Sequence, residues 1–197
     1  MPDTKISDLA QLALGGISLD DLFVLVDVSD TSMASSGTTK KIPFKNLGVP
    51  ILLGGSGAKV ADPGNTTAET TYATITVPAN AMGANGLLLI WELWSYTNSA
   101  NSKTMRVRFS GGSGTIFASA AASASVLMNV LAKIQNRGAT NSQVGTPATI
   151  GTAAGTAAVT SSVDTTASAT VVLTGQKATG TETLELESYL VVLIPGA

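Results

Sequence analysis

The alternation of apolar and polar residues is most regular between residues 86 and 109. The second part of this segment, TMRVRF, alternates three apolar residues with a threonine and two arginines. Successive side chains of a strand point to opposite faces, so this pattern predicts a half-buried β-strand. The first part, LLLIWELW, is more continuously apolar and contains both tryptophans, Trp91 and Trp94. It predicts a second strand of the same hydrophobic core.

A short polar segment, residues 98–102, separates these two strands and has the sequence NSANS. Asn and Ser tolerate turn conformations, so the segment predicts a β-hairpin with a longer loop. Asn98 and Asn101 would then lie at an exposed tip of the molecule.

Further strand patterns occupy the rest of the second half of the chain. Residues 71–77 place Ala73, Ile75 and Val77 on one face and Tyr72 on the other. Residues 169–175 predict a strand, and LELESYLVVLI near the C-terminus is so apolar that we expect it inside a sheet or against another subunit. Residues 140–166 are rich in Ala, Thr, Gly and Ser, and fit either short strands or long loops.

Residues 120–138 fit two periods. Leu127, Val130, Leu131 and Ile134 recur at helical spacing, and Gly138 would end such a helix. Apolar residues from 126 to 134 also alternate, as in a strand. We favour a strand over residues 125–136 because the segments on both sides predict β-structure. About seven to nine strands in residues 68–195 then predict an all-β fold, a jelly-roll-like antiparallel β-sandwich.

The first 48 residues have a pattern of their own. Residues 5–14 predict a short amphipathic helix or an ordered arm, with Ile6, Leu9 and Leu12 on one face. Residues 22–28, which include Phe23 and Val24, are an apolar run of strand length. Residues 40–47, which include Phe44, predict an edge strand because Pro43 cannot donate a sheet hydrogen bond. This arm-plus-hairpin unit buries little surface, so we expect it to fold against a partner.

Residues 49–67 are rich in Gly and Pro and predict a linker between this unit and a β-sandwich domain at 68–197. The GGSGAK sequence inside them lacks the spacing and the following helix of a phosphate-binding loop.

The low charge of the chain limits its partners. Charged residues make up 12% of the sequence, and the net charge is −2. This fits outer faces covered by other subunits, and equally a Thr-rich sandwich surface. Nucleic acid is disfavoured because no basic run is interleaved with aromatic residues. No membrane partner is expected either, since no apolar run approaches the ~20 residues of a transmembrane helix. The N-terminus does not resemble a secretory signal, which implies a soluble or assembled protein made in the cytoplasm.

The chain contains neither cysteine nor histidine. Disulfides, thiolate or imidazole zinc sites, and Ser–His or Cys–His nucleophiles are therefore excluded. Glu185 and Glu187 alternate on one strand face at a spacing near that of paired glycosidase carboxylates. Such glutamates far more often keep an exposed face soluble. We expect no enzyme, no catalytic residue, no cofactor and no metal.

Two portions of the chain resemble the virion proteins of tailed bacteriophages. KISDL, DDLFVLVDVSD and TTKKIPFKNL together resemble the leading segment of many such proteins. The second portion runs from ETTYATITVPANAMGANGLLLIWELWSYTNSANSKTMRVRF through QNRGATNSQ to LTGQKATGTETLELESYLVVLI. It is similar to β-sandwich domains of phage heads and tail fibres.

The resemblance implies a structural protein of the virion, assembled in the host cytoplasm as a homotrimer with an N-terminal attachment unit. The short length favours a capsid decoration (cement) protein that stabilises the capsid. It would bind the major capsid protein through Ile6, Leu9, Leu12, Phe23, Val24 and Phe44. These apolar residues could instead pack beneath the protein's own sandwich.

The alternative is a tail fibre or adhesion module that binds a tail protein and host-surface glycans. The aromatic candidates for stacking on sugars are Tyr72, Trp91, Trp94, Tyr96 and Tyr189. Trp91 and Trp94 are three residues apart, so a strand directs them to opposite faces, and at least one is expected in the core.

Overall fold

The computed structural model describes residues 22–27, 38–43, 48–146 and 157–196, the first two ranges as backbone alone. The chain forms two compact units, Met1–Leu47 and Gly48–Ala197. In the first, β1 (Leu22–Asp27) pairs antiparallel with β2 (Thr38–Pro43). This pair confirms the strand predicted at 22–28 and the first part of the strand predicted at 40–47, whose residues 44–47 lie outside the described residues. The predicted helix or arm at residues 5–14 lies outside the described residues.

Ten described strands build the second unit. They are β3 (Ile51–Ser56), β4 (Thr70–Val77), β5 (Leu87–Tyr96), β6 (Lys103–Phe109), β7 (Thr115–Ala122), β8 (Leu127–Asn136), β9 (Gln143–Gly145), β10 (Val159–Ser161), β11 (Ala169–Lys177) and β12 (Leu184–Ile194). The strand predicted at 125–136 is confirmed as β8. The low-complexity region contributes the short strands β9 and β10.

These strands form two antiparallel sheets that make a sandwich. The six-stranded sheet has the order β10-β9-β8-β5-β12-β3, and the four-stranded sheet has the order β4-β11-β6-β7. If β3 to β8, β11 and β12 are counted as strands 1 to 8, the sheets read 1-8-3-6 and 2-7-4-5. This is the order of a jelly roll, which β9 and β10 extend at one edge. The predicted jelly-roll-like sandwich is confirmed.

The core lies between the inner faces of the two sheets. Trp94, Phe109 and Phe117 are fully buried there. The rings of Tyr72 and Trp94 meet edge to face at 4.8 Å, and those of Phe109 and Phe117 meet at 6.2 Å. Edge-to-face pairs of this kind add to the stability that burial supplies.

The predicted hairpin at residues 86–109 is wrong. β5 pairs with β12 and β8 in one sheet, whereas β6 pairs with β11 and β7 in the other. Residues 97–102 therefore cross from sheet to sheet. The alternating pattern specifies each strand and its buried face but not its neighbour. The ten residues of β5 find longer partners in β8 and β12 than the seven residues of β6 would offer. The expectation that LELESYLVVLI lies inside a sheet is confirmed, since β12 runs between β5 and β3.

Tyr72 lies in the core, and its expected place on the polar face of its strand is wrong. The register between β4 and β11 shifts so that Ala73 faces Leu173 while Thr71 faces Thr174. Tyr72 is the extra residue of this irregularity, and such a bulge changes which side chains point inward. Its hydroxyl donates to the carbonyl of Leu184 at 2.5 Å.

The segment predicted as a linker, residues 49–67, contains β3, which pairs with β12 along its length. Its glycines serve close packing as well as turns. A Cβ added at Gly54 would lie 3.0 Å from the side chain of Ile75 in the opposite sheet. Glycine at this position lets the two sheets approach each other, a role that composition does not distinguish from flexibility.

Candidate functional site

The two sheets present outer faces of opposite character. On the four-stranded sheet, the outward positions of β6 and β11 carry Arg106, Arg108 and Thr174. Glu69 bridges them: its carboxylate pairs with both guanidinium groups and accepts a hydrogen bond from Thr174. The hydrogen bond from Arg108 lowers the pKa of Glu69 to about 2. This face is polar and charged, as an exposed sheet should be.

The outer face of the six-stranded sheet is apolar across four strands. Trp91 on β5 lies directly opposite Leu131 on β8 and Leu190 on β12. Directly opposed residues of antiparallel strands share a face, so these three side chains form a continuous row. Trp91 and Leu190 are each 39% exposed.

Two further contacts extend this row. Leu89, two residues before Trp91, lies opposite Val192 on β12. A Cβ at Gly55 on β3 would touch Leu190 at 3.3 Å and Leu52 at 3.7 Å, which places Leu52 on the same face. Leu52 is 63% exposed. We call Leu52, Leu89, Trp91, Leu131, Leu190 and Val192 the apolar face.

A shallow pocket of about 140 Å³ opens beside Trp91. It forms where the β12 register shifts between Leu186 and Ser188. Its lining includes Asn129 and Ser188, which bring polar groups next to the exposed indole. An aromatic ring flanked by an amide and a hydroxyl can contact both the apolar and the polar surface of a small ligand.

Glu92 is buried behind this pocket. It follows Trp91 on β5, so its side chain points into the core, where it is 2% exposed. Trp94 donates its indole N–H to the Oε2 of Glu92 at 2.6 Å, while Oε1 has no hydrogen-bond partner among the described residues. Burial raises the pKa of Glu92 to about 8, although the bond from Trp94 opposes this rise. A carboxyl group with this pKa is mostly neutral at pH 7.

Two lysines are buried side by side at the end of the core. Lys103 and Lys177 lie opposite each other on β6 and β11, 0% and 4% exposed. Lys103 pairs with Glu182 at 2.8 Å. Lys177 contacts both oxygens of Asp62 at 2.8 Å and three backbone carbonyls at 2.7 to 3.1 Å. Both ammonium groups are thereby compensated, so the cluster holds the loops at this end of the sandwich together.

The carboxylates of this cluster are held ionised. The hydrogen bond from Lys103 lowers the pKa of Glu182 to about 2. Burial alone would raise the pKa of Asp62, but the hydrogen bonds from Lys177 and from the backbone of Gly64 and Leu184 lower it.

Glu185 and Glu187, the pair considered for glycoside cleavage, have structural partners. Glu185 forms an ion pair with Lys59 at 2.9 Å, and Glu187 accepts a hydrogen bond from Ser95 at 2.5 Å. Within the described ranges, no group of three or more carboxylates could hold a metal ion. No helix among the described residues is long and apolar enough to span a membrane.

The predicted attachment residues are only partly placed. Phe23 and Val24 belong to β1, of which only the backbone is described. Ile6, Leu9, Leu12 and Phe44 lie outside the described residues. Asn98 and Asn101, predicted at an exposed tip, are both exposed, and Asn101 donates to Glu182 at 2.9 Å.

The aromatic residues divide between the core and the surface, and the two tryptophans lie on opposite faces as their spacing in a strand requires. Trp94 is fully buried and Trp91 is exposed, which confirms that one tryptophan belongs to the core. Tyr72 and Tyr96 are buried as well, so stacking on a sugar from these two positions is excluded. Trp91 and the partly exposed Tyr189 remain as candidates.

Several of these polar groups were missed by reasoning from the sequence, although a signal was present. Glu92 alternates in step with Ile90 and Trp94, so the strand pattern places its carboxyl group on the inward face, inside the core. Lys103 likewise alternates in step with Met105 and Val107, which places it on the inward face of β6. The partner Asp62, far away in the sequence, gave no such signal.

No family model and no curated protein matches this chain. Among solved structures, the CBM2 module of the evolved Dit of Lactobacillus casei BL23 phage J-1 is similar at 12% identity and a TM-score of 0.36, covering 75% of this chain and 98% of that one. The infectious bursal disease virus VP2 subviral particle is similar at 14% identity and a TM-score of 0.26, covering 74% and 40%. The Gx strain of that virus gives 11% identity and a TM-score of 0.28, covering 75% and 40%. Values of this size assign neither fold nor function, so the jelly roll described above rests on this chain's own strand order.

Proposed function

We propose that this chain is a structural protein of a tailed-phage virion, a capsid decoration protein that is attached by its N-terminal unit and displays its jelly roll outside. The observation that carries the proposal is the division of the chain at Leu47/Gly48. The leading segment that resembles phage virion proteins coincides with the first compact unit, and the sandwich is the second. An attachment unit and a displayed domain are the two parts that such a protein needs.

The N-terminal unit is suited to bind a partner rather than to stand alone. The two short strands described in it, β1 and β2, bury too little apolar surface to be stable on their own. Its apolar residues, Ile6, Leu9, Leu12, Phe23, Val24 and Phe44, would gain burial against the major capsid protein. Glu69, Asp62 and Glu182 each form an ion pair within the sandwich. These pairs support a structural role for the three carboxylates.

The test compares phage particles with and without this protein. Particles that lack it are expected to release DNA at a lower temperature, and the purified full-length protein should restore the release temperature. A Phe23→Asp/Val24→Asp variant should fail to do so because charged side chains oppose burial at the contact. DNA release can be followed with an intercalating dye during heating.

Asn98→Asp, an exposed substitution in the other unit, is the matched control and should restore the release temperature fully. Equal heat stability of both particles, together with no binding of the purified protein, would refute the proposal. Binding of the protein to tails alone would refute its capsid part.

The pocket beside Trp91 favours one second candidate function, the binding of host-surface glycans. A saccharide would stack on the indole and bond to Asn129 and Ser188. If so, a glycan array should show binding that Trp91→Ala reduces by about tenfold or more and that Thr76→Ala leaves unchanged. An array with no signal for the wild-type protein would reject this candidate.

A further inference from the structure

The apolar face has the composition of an interface centre. An exposed tryptophan lies in the middle of it, with Leu131 and Leu190 directly beside the indole and Leu89 two residues away on the same strand. Interfaces concentrate their binding energy in such a central aromatic residue surrounded by apolar neighbours that exclude water. A sandwich sheet that faced only solvent would instead carry polar residues, as the four-stranded sheet of this chain does.

The extent of the face also fits a protein partner. Leu52 is 63% exposed, and Trp91 and Leu190 are 39% exposed, with partly exposed apolar neighbours around them. Together they present on the order of 400 Å² of surface, within the range of the largest, often functional, patches found on ordinary monomers.

The charges at the rim are arranged so that the face can complement itself. Lys133 lies on β8, opposite Leu89 near the start of β5. Glu187 lies on β12, where it contacts Ser95 near the end of β5. The two charges therefore lie diagonally across Trp91. Lys133 is exposed and forms no ion pair among the described residues.

We propose that a second copy of this chain covers the apolar face, so that two such faces pack around Trp91 across a two-fold axis. An axis that lies in the interface plane and passes between the two indoles sets Lys133 of one copy against Glu187 of the other. Symmetry repeats the pair on the far side, as in every isologous interface. This inference stands apart from the proposed capsid function, because it follows from the face alone. It competes with glycan binding, because a second copy and a saccharide would cover the same indole of Trp91.

The mass of the full-length protein in solution tests the proposal, measured by sedimentation equilibrium over a range of micromolar concentrations. The wild type should form dimers. Trp91→Ser should weaken them by roughly thirty-fold or more, because it removes the centre of the interface. Thr76→Glu, on the outer face of the four-stranded sheet, is the control and should leave the mass unchanged.

A charge exchange supplies a second, independent readout. Lys133→Glu should weaken the dimer by placing it against Glu187 of the partner copy, and adding Glu187→Lys should restore it, more at low salt than at high salt. Circular dichroism and thermal unfolding of each variant show that it still folds.

Three results would overturn the proposal. The first is a wild type that remains monomeric, even if its tryptophan fluorescence changes when phage capsids are added. The second is a dimer that survives both Trp91→Ser and Lys133→Glu. The third is a trimer, the state that the sequence resemblance implies, which a two-fold pairing does not produce.

Discussion

Glu92→Gln is expected to raise the free energy of unfolding by roughly 3 kcal/mol at pH 7. Few substitutions of a buried polar residue stabilise a protein, but this one removes a carboxyl group whose ionisation the core opposes. Gln can keep an oxygen next to the indole N–H of Trp94, which now lies 2.6 Å from the carboxylate. Glu92 faces Val130 and Tyr189 on the neighbouring strands and has no ion pair among the residues that the structure describes.

The effect should depend on pH with a definite sign. Burial raises the pKa of Glu92 in the folded protein to about 8, from the ordinary value of 4.5. Below pH 4.5 the group is protonated in both states, and its neutral form costs the folded state little. Between pH 4.5 and 8 only the unfolded chain releases the proton, so the folded state loses about 1.4 kcal/mol of stability per pH unit from this group. Above pH 8 both states are ionised and the loss stays constant.

Urea unfolding of the wild type and of Glu92→Gln between pH 5 and pH 9 measures this difference. The difference between their free energies of unfolding should widen up to about pH 8 and then level off. Glu92→Leu should also lose the pH dependence but should gain less stability, because it leaves the Trp94 donor without an acceptor. A gap that is constant over this range, or a Gln variant less stable at pH 8, would contradict the prediction.

Asp62→Ala is expected to destabilise the sandwich by about 3–5 kcal/mol. The substitution removes the carboxylate that compensates Lys177, whose side chain is 4% exposed. The ammonium would retain three backbone carbonyls but no opposite charge, and a buried unpaired charge carries a large penalty. Asp62 also accepts the backbone N–H of Leu184 at 2.6 Å, so the start of β12 loses a bond as well.

A double-mutant cycle with Lys177→Met separates the unpaired charge from the loss of packing. Asp62→Ala/Lys177→Met should be clearly more stable than Asp62→Ala alone, because no charge is then left buried. Glu185→Ala, which breaks the exposed pair with Lys59, is the control and should have little effect. If the cycle shows no coupling, or if Asp62→Ala costs no more than the control, the buried pair does not stabilise the end of the sandwich.

Much of the fold follows from a period of two in the sequence. The strands at 71–77 and 169–175 could be located because apolar and polar residues alternate, and the strand at 184–194 because its second half is continuously apolar. The alternation rule also placed Trp91 and Trp94 on opposite faces. The pairing of β5 and β6 with strands of different sheets could not be predicted. Strand partners depend on contacts between residues far apart in the chain, whereas periodicity reports only local burial.

The candidate site was harder to predict than the fold. Leu52, Trp91, Leu131 and Leu190 come from four strands, and only their register brings them to one face. Apolar residues on both faces of β5 are typical of a buried strand, so the sequence did not distinguish a covered face from an exposed one. Gly54 and Gly55 were interpreted as a linker because composition cannot separate a flexible glycine from one at a close approach.

The strand order has a consequence for how the chain is made. β11 lies between β4 and β6, and β12 lies between β5 and β3, so each sheet receives an inner strand that is made after most of its other strands. During synthesis, β4, β5 and β6 emerge before the partners that complete their hydrogen bonding exist. Long-range pairing of this kind slows folding and leaves strand edges and apolar side chains exposed meanwhile. The jelly roll therefore cannot close until β12 has left the ribosome, and a premature stop before Ala169 would leave both sheets open.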